Sequence, residues 1–140
     1  MQILVDTTPT DADHDVIHDG LVAFNAAAVG KPWSRSRFAV LLKDDAGQTA
    51  GGLWGAIFFD WLFIELLYIP DALRGQDLGT RLMAAAETHA RSQGLTGIWL
   101  DTFSFQARPF YEKLGYALAG EITDLPPGGS RFFLSKRLKP

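Results

Sequence analysis

Arg74-Gly75-Gln76-Asp77-Leu78-Gly79-Thr80 lies between a hydrophobic run that ends at Ile69 and an amphipathic run that begins at Leu78. The first run reads as a strand and the second as a helix. A short glycine-bearing loop between them is a natural anion site. The N–H groups of the loop and first helical turn lack carbonyl partners, and the helix dipole adds positive potential there. Gly75 and Gly79 remove side chains where a phosphate would approach the backbone closely. The spacing is not that of a nucleotide-hydrolysing P-loop, which needs Gly-x-x-x-x-Gly-Lys-Ser/Thr. Nor is it a dinucleotide fingerprint, because the Gly-x-Gly start is missing.

Working outward, the pattern alternates strands and helices. Gln2 to Val5 reads as a short strand. Asp11 to Ala28 reads as a helix with Val16, Ile17, Leu21, Phe24 and Ala28 on one apolar stripe, ended by Gly30-Lys31-Pro32. Arg37 to Lys43, Thr49 to Phe59 and Trp61 to Ile69 read as strands, although glycines at 51, 52 and 55 interrupt the second. The helix Leu78 to Gln93 buries Leu78, Leu82, Ala86 and Ala90, and Gly94 stops it. Gly97 to Thr102 is a strand and Ala107 to Leu114 a short helix, with Pro109 in its first turn and Gly115 at its end. Tyr116 to Ile122 and Arg131 to Leu138 are the final strands. The predicted fold is a single α/β domain over residues 1–140, in the order β-α-β-β-β-α-β-α-β-β.

Composition bounds the function. The 140 residues are 47% hydrophobic and 12% aromatic, enough for a packed core and too apolar for disorder. A formal charge of −3 gives no basic footprint for nucleic acid. The absence of cysteine excludes disulfides, thiolate metal sites and a cysteine nucleophile. No signal peptide is legible at the N-terminus, and the apolar region Leu53 to Ile69 is broken by Asp60 and Glu65, so no membrane span is expected and a cytoplasmic protein is the default. His14 and His18 stand at i and i+4, the spacing of a zinc helix, but Asp15 replaces the glutamate of that motif and no third ligand follows nearby. No metal is expected.

Further along, Pro109-Phe110-Tyr111-Glu112-Lys113-Leu114-Gly115-Tyr116 follows the strand Ile98-Trp99-Leu100-Asp101. With these motifs in this order the chain resembles the GNAT superfamily of acetyl-CoA-dependent N-acyltransferases. Arg74 to Gly79 occupies the family's Arg/Gln-x-x-Gly-x-Gly/Ala loop, and Phe110 to Tyr116 its aromatic-Tyr-Glu-Lys-x-Gly-Tyr/Phe motif. The resemblance implies a mixed, mostly antiparallel sheet flanked by helices, with acetyl-CoA as cosubstrate and no metal. It implies transfer of acetyl to a primary amine, on a small molecule or a peptide, by direct attack. The partners expected are thus an amine acceptor, no nucleic acid, no membrane, and optionally a second copy as a homodimer. A non-catalytic acyl-CoA- or amine-binding module of the same fold is the alternative, and a nucleotide-binding regulatory domain a second one.

The resemblance also assigns residues. Arg74 and Gly75 open the loop. The N–H groups of Gln76, Asp77, Leu78, Gly79 and Thr80 would hold the pyrophosphate, with the Thr80 hydroxyl as a further donor. Leu67 and Ile69 would pair by main chain with the pantetheine amides, on an edge left free where the sheet splays, and an N–H near Leu67 would polarise the thioester carbonyl. Tyr111 would serve the departing thiolate. Glu65 is the candidate base, as a carboxylate interrupting an apolar strand, and Asp101 is the second candidate or else a cap for the turn Thr102-Phe103-Ser104. Two positions depart from the family. Asp77 stands where glycine is usual, favourable to the helix dipole but facing a pyrophosphate. Ser104 stands where many members carry an asparagine, seven residues before the tyrosine, that holds the cofactor arm. The acceptor surface is expected from the N-terminal helix, Lys31 to Ser36 and Leu125 to Ser130.

Overall fold

A computed structural model describes all 140 residues, which group into two compact units, Met1–Ser34 and Arg35–Pro140. The first unit is built on helix α1, Asp11–Val29. Its start is fixed by a capping box. Thr10 accepts from the Asp13 N–H, and the Asp13 carboxylate accepts from the Thr10 N–H at 2.8 Å. Gly30, at φ 73°, ends it in the left-handed conformation. Residues Gln2 to Val5 form no strand, contrary to the sequence expectation. An apolar alternation makes a strand only where another strand takes its hydrogen bonds, and these residues remain exposed. The expected stripe of α1 is equally exposed: no residue of the helix is buried.

The second unit carries the sheet. Its strands are β1 (Arg35–Lys43), β2 (Thr49–Phe58), β3 (Trp61–Tyr68), β4 (Gly97–Phe103), β5 (Ala117–Thr123) and β6 (Ser130–Arg137), in the spatial order β1-β2-β3-β4-β6-β5. All pairings are antiparallel except β3 with β4. Helix α2 (Leu78–Ser92) is the crossover that parallel pairing requires, and α3 (Arg108–Lys113) follows β4. The α/β class and the element order from α1 onward are those predicted. Strand ends shift by a residue or two: Ile69 and Tyr116 lie just outside β3 and β5.

The core lies between α2 and one face of the sheet. Leu82, Met83, Ala86 and Ala90 of α2 pack against Leu53, Leu62, Ile64, Ile98, Leu100 and Leu134. Small residues at 86 and 90 let the helix approach the strands closely. Leu78, expected in this row, is only half-buried, and Met83 takes its place. The glycines of β2 do not break the strand. They permit it, because a Cβ on Gly55 would overlap the Phe63 carbonyl oxygen. At this point the register slips: Trp54 faces Leu66, Gly55 faces Ile64, and Glu65 of β3 has no partner. Glu65 is therefore the extra residue of a β-bulge.

Tyr111 and Tyr116 meet edge to face in the core, ring centroids 6.2 Å apart. The Tyr116 hydroxyl is buried without a hydrogen-bond partner. An unpaired buried hydroxyl costs about 1–3 kcal/mol. Tyr116→Phe removes that group and keeps the ring, so it should raise unfolding stability by about 1 kcal/mol in a denaturant titration. A loss of stability would show that the hydroxyl is satisfied in solution.

Candidate active site

The parallel pairing of β3 with β4 covers only Trp61 to Ile64 against Gly97 to Leu100. Beyond these pairs the two strands separate. A cleft of about 560 Å³ opens between them, lined by Ile64 to Tyr68 on one side and Leu100 to Phe103 on the other, with Arg74, Gln106, Ala107 and Tyr111. The splay leaves one main-chain edge of Leu66 to Tyr68 without a strand partner. The bulge at Glu65 sits at the point where the separation begins, and re-aims the peptide groups there.

The glycine loop adjoins this cleft through Arg74. Arg74 forms an ion pair with Asp71 at 2.8 Å, and its Nε donates to the Ile69 carbonyl at 3.3 Å. That carbonyl already accepts one hydrogen bond from the protein. The first N–H of α2 to find a carbonyl is that of Arg81, bonded to Asp77 at 3.2 Å. The N–H groups of Gln76 to Thr80 have no carbonyl of the protein to bond. Gly75 adopts φ 77°, with open space around it. Gly79 serves packing: a Cβ there would lie 3.2 Å from the Phe110 ring and 3.3 Å from Ile69. Its small size seats α2 against the Phe110 motif.

Asp77 is the N-cap of α2, yet its backbone is left-handed at φ 61° and its side chain makes no capping bond. This is a conformation glycine adopts without cost. A carboxylate at a helix start is favourable to the dipole by about 0.3–1 kcal/mol. This gain is offset by the left-handed backbone, which costs a non-glycine residue about 1 kcal/mol.

Tyr111 lies in α3 with its ring buried in the core and lines the cleft. Burial, with the Asp101 carboxylate adding to it, pushes its phenol up from 10.0 to about 12. The group is thus protonated across the neutral range. Glu65 also lines the cleft, but its carboxylate is 41% exposed and lies 3.9 Å from the Arg35 guanidinium. The expected desolvation of this carboxylate is absent, because the bulge carries it outward. Asp101 is neither a free base nor a turn cap. Arg131 grips both its oxygens, Nε to Oδ1 at 3.1 Å and Nη2 to Oδ2 at 2.9 Å, while its guanidinium lies over the Phe103 and Phe133 rings. The turn is capped instead by Gln106, whose Oε1 accepts from the Phe103 N–H at 2.8 Å and from the Thr102 hydroxyl at 3.2 Å.

Ser104 is tied elsewhere. Its hydroxyl oxygen accepts from the Ser130 N–H at 3.0 Å, joining the turn after β4 to the first residue of β6. It does not line the cleft. Gln106, whose amide nitrogen remains available to donate, is the cleft residue that sequence reasoning missed; Arg131, outside the cleft lining, is the missed partner of Asp101. Gln106 lies five residues before Tyr111, a spacing that could have drawn attention to it. His14 and His18 stack at 5.6 Å, each with a ring nitrogen beside the neighbouring Asp15 or Asp19 carboxylate. No cluster of three or more His, Cys, Asp or Glu residues is arranged to hold a metal, and no helix is long and apolar enough to cross a membrane.

Residues 9–116 match the Acetyltransferase (GNAT) family. The chain is 35% identical to an acetyltransferase of Agrobacterium fabrum over 135 residues, covering 96% of this chain and 97% of the relative. It is 41% identical over 102 residues to the blasticidin-S acetyltransferase of Streptomyces morookaense, covering 72% and 75%. A crystallised Agrobacterium tumefaciens protein assigned to the acetyltransferases superposes with a TM-score of 0.91 at 32% identity, covering 99% of this chain and 100% of its own.

Two outcomes follow from this geometry. Asp77→Gly should leave thermal stability unchanged or raise it by up to about 1 kcal/mol, as relief of the left-handed strain offsets the lost dipole term; a clear loss in calorimetry would mean that the carboxylate orders the loop. The second concerns Tyr111. An unfolded tyrosine ionises near ~10, below the folded group's value of about 12. Folding stability should therefore fall as pH rises through that window, and Tyr111→Phe should make the fall shallower in alkaline denaturation.

Proposed function

Because the chain belongs to the Acetyltransferase (GNAT) family, and is an acyltransferase, we propose that it moves acetyl from acetyl-CoA to a primary amine of a small molecule or peptide in the β3–β4 cleft. The cleft itself carries this reading. An unpaired strand edge and a protonated phenol line it, and the loop of unpaired N–H groups adjoins it through Arg74. A pyrophosphate suits the N–H groups of Gln76 to Thr80. A pantetheine arm suits the free edge of Leu66 to Tyr68, entering as an added strand, with the Ile69 N–H at its end.

The chemistry is direct. The amine nitrogen attacks the thioester carbon, and the N–H groups at the bulge near Leu67 hydrogen-bond the oxyanion. The C–S bond then breaks. Tyr111, at about 12, is too weak an acid to surrender its proton outright to a thiolate, whose conjugate acid ionises near ~8.5. It is suited to donating a hydrogen bond that stabilises the thiolate, while the proton that finally neutralises the sulfur comes from the amine. Glu65, at the outer side of the cleft, accepts through water the proton that the acceptor's ammonium form gives up before attack. A carboxylate there also attracts a cationic acceptor to the mouth. Gln106 takes over from Ser104 the positioning of the cofactor arm, because its amide faces the cleft.

Acetyl-CoA at about 100 times its dissociation constant should stabilise the protein by roughly 2.7 kcal/mol. No shift in melting temperature would overturn the cofactor reading. Tyr111→Phe should keep that shift and lower kcat by roughly 10²-fold in a thiol-release assay with an amine panel. Undiminished turnover would return Tyr111 to a purely structural role.

A further inference from the structure

Glu65, Arg74 and Asp101 are the charged side chains of the cleft lining. Glu65 stands 3.9 Å from Arg35, and Arg74 holds Asp71 at 2.8 Å, both pairs in reach of solvent. Asp101 is different. Its side chain is only 15% exposed, and it shares the cleft wall with Tyr111. After burial itself, its charge is what pushes the Tyr111 phenol up. A bare carboxylate at this place would oppose acetyl transfer, because the departing thiolate brings a second negative charge into the same space. The chain answers it from β6: Arg131 touches both carboxylate oxygens, at 3.1 and 2.9 Å. Arg131 is itself outside the cleft lining, so it supplies charge there without facing a ligand.

Several contacts fix Arg131 in this place. In the β4–β6 register Phe103 faces Arg131 and Asp101 faces Phe133, so Arg131 reaches Asp101 on the diagonal. The Phe103 and Phe133 ring centroids lie 5.6 and 5.2 Å from its guanidinium carbon, within the range at which an aromatic ring attracts a cation. The preceding residue, Ser130, is tied twice to Ser104: its N–H donates to the Ser104 hydroxyl at 3.0 Å, and its carbonyl accepts from the Ser104 N–H at 2.8 Å. We propose that Arg131 is a positioning residue for acetyl transfer, acting through Asp101 to keep the cleft wall neutral toward the departing thiolate. Ser104 serves the same end, by pinning the start of β6 beside Arg131. The inference rests on the acetyl-CoA reading given above.

Binding tests this without an acceptor amine. The probes are CoA, which carries the thiol, and desulfo-CoA, which lacks it. Their affinities are compared by calorimetry at about pH 7 and about pH 9.5, either side of a free thiol's ~8.5. The charged and titratable groups facing the cleft are Glu65 on β3, Asp101 on β4, Tyr111 on α3 and Arg74 in the loop, with Arg35 and Arg131 behind the two carboxylates. Both ligands meet these groups, so the ratio of their affinities reports on the sulfur alone. Arg131→Met should weaken CoA against desulfo-CoA by roughly 10-fold at the higher pH and leave the ratio unchanged at the lower. Adding Asp101→Asn should cancel that loss. If Arg131 were only a structural tie, both ligands would weaken alike and the second substitution would deepen the loss; that result overturns the proposal. Asp101→Asn alone leaves Arg131 unmatched and should shift the ratio toward CoA at the higher pH. It decides the matter if Arg131→Met does not fold, and an unchanged ratio overturns the proposal. Should the wild type bind neither ligand, the acetyl-CoA reading falls and this inference with it. Should it bind both while no variant moves the ratio, the role of Arg131 alone is wrong.

Discussion

Four residue pairs join β3 to β4, and the rest of the architecture depends on where that pairing stops. Up to Ile64 and Leu100 the two strands share the hydrogen bonds of one sheet. Past that point they diverge, and the space between them becomes the cleft. The divergence has a local cause on each side. On β3, the bulge at Glu65 shifts the register against β2 and turns the strand away. On β4, Gln106 folds the chain back onto Thr102 and Phe103 and ends the strand. Neither feature concerns a ligand directly. Together they leave a strand edge free in the middle of a sheet, which is otherwise an unstable arrangement.

The cleft's titratable groups differ in availability, and this sorts their roles better than residue type does. Asp101 is gripped on both oxygens by Arg131 and has little capacity left for exchange with a substrate. Tyr111 is buried and keeps its proton. Glu65, carried outward by the bulge, is the carboxylate that solvent can reach. The cleft thus holds a buried phenol inside and a solvated carboxylate outside.

The parts of this plan that were legible in the sequence are those set by local periodicity. The α2 helix, its glycine stop and the strands around it follow from apolar spacing, and the loop and tyrosine motifs follow from their order. What was not legible is set by distant partners. The left-handed conformation of Asp77 is invisible in a string of letters, since aspartate at a helix start ordinarily signals a conventional cap. Ser104 could not be seen to hold Ser130, nor Asp101 to hold Arg131, because each pair meets only when β4 lies beside β6. Glu65 reads in the sequence as a carboxylate interrupting an apolar strand, and the bulge that leaves it without a cross-strand partner could not be seen because it depends on Gly55 in the neighbouring strand. The stripe of α1 was correctly periodic, but periodicity does not say what the stripe faces.

The solitary parallel joint also bears on how the chain acquires its shape. Strands β1, β2 and β3 follow one another through tight turns and form a meander from contacts close in sequence. Strands β4, β5 and β6 make a second antiparallel group. Between them stands a crossover through α2, and the two groups cannot register until that helix has supplied its apolar side to both. Loop-closure entropy falls on this step and on the pairing of β4 with β6 across α3 and β5, since every neighbour in the first group is reached over a short loop. The joint that opens the cleft is therefore also the one place where the two antiparallel groups are held together through a crossover and not a turn.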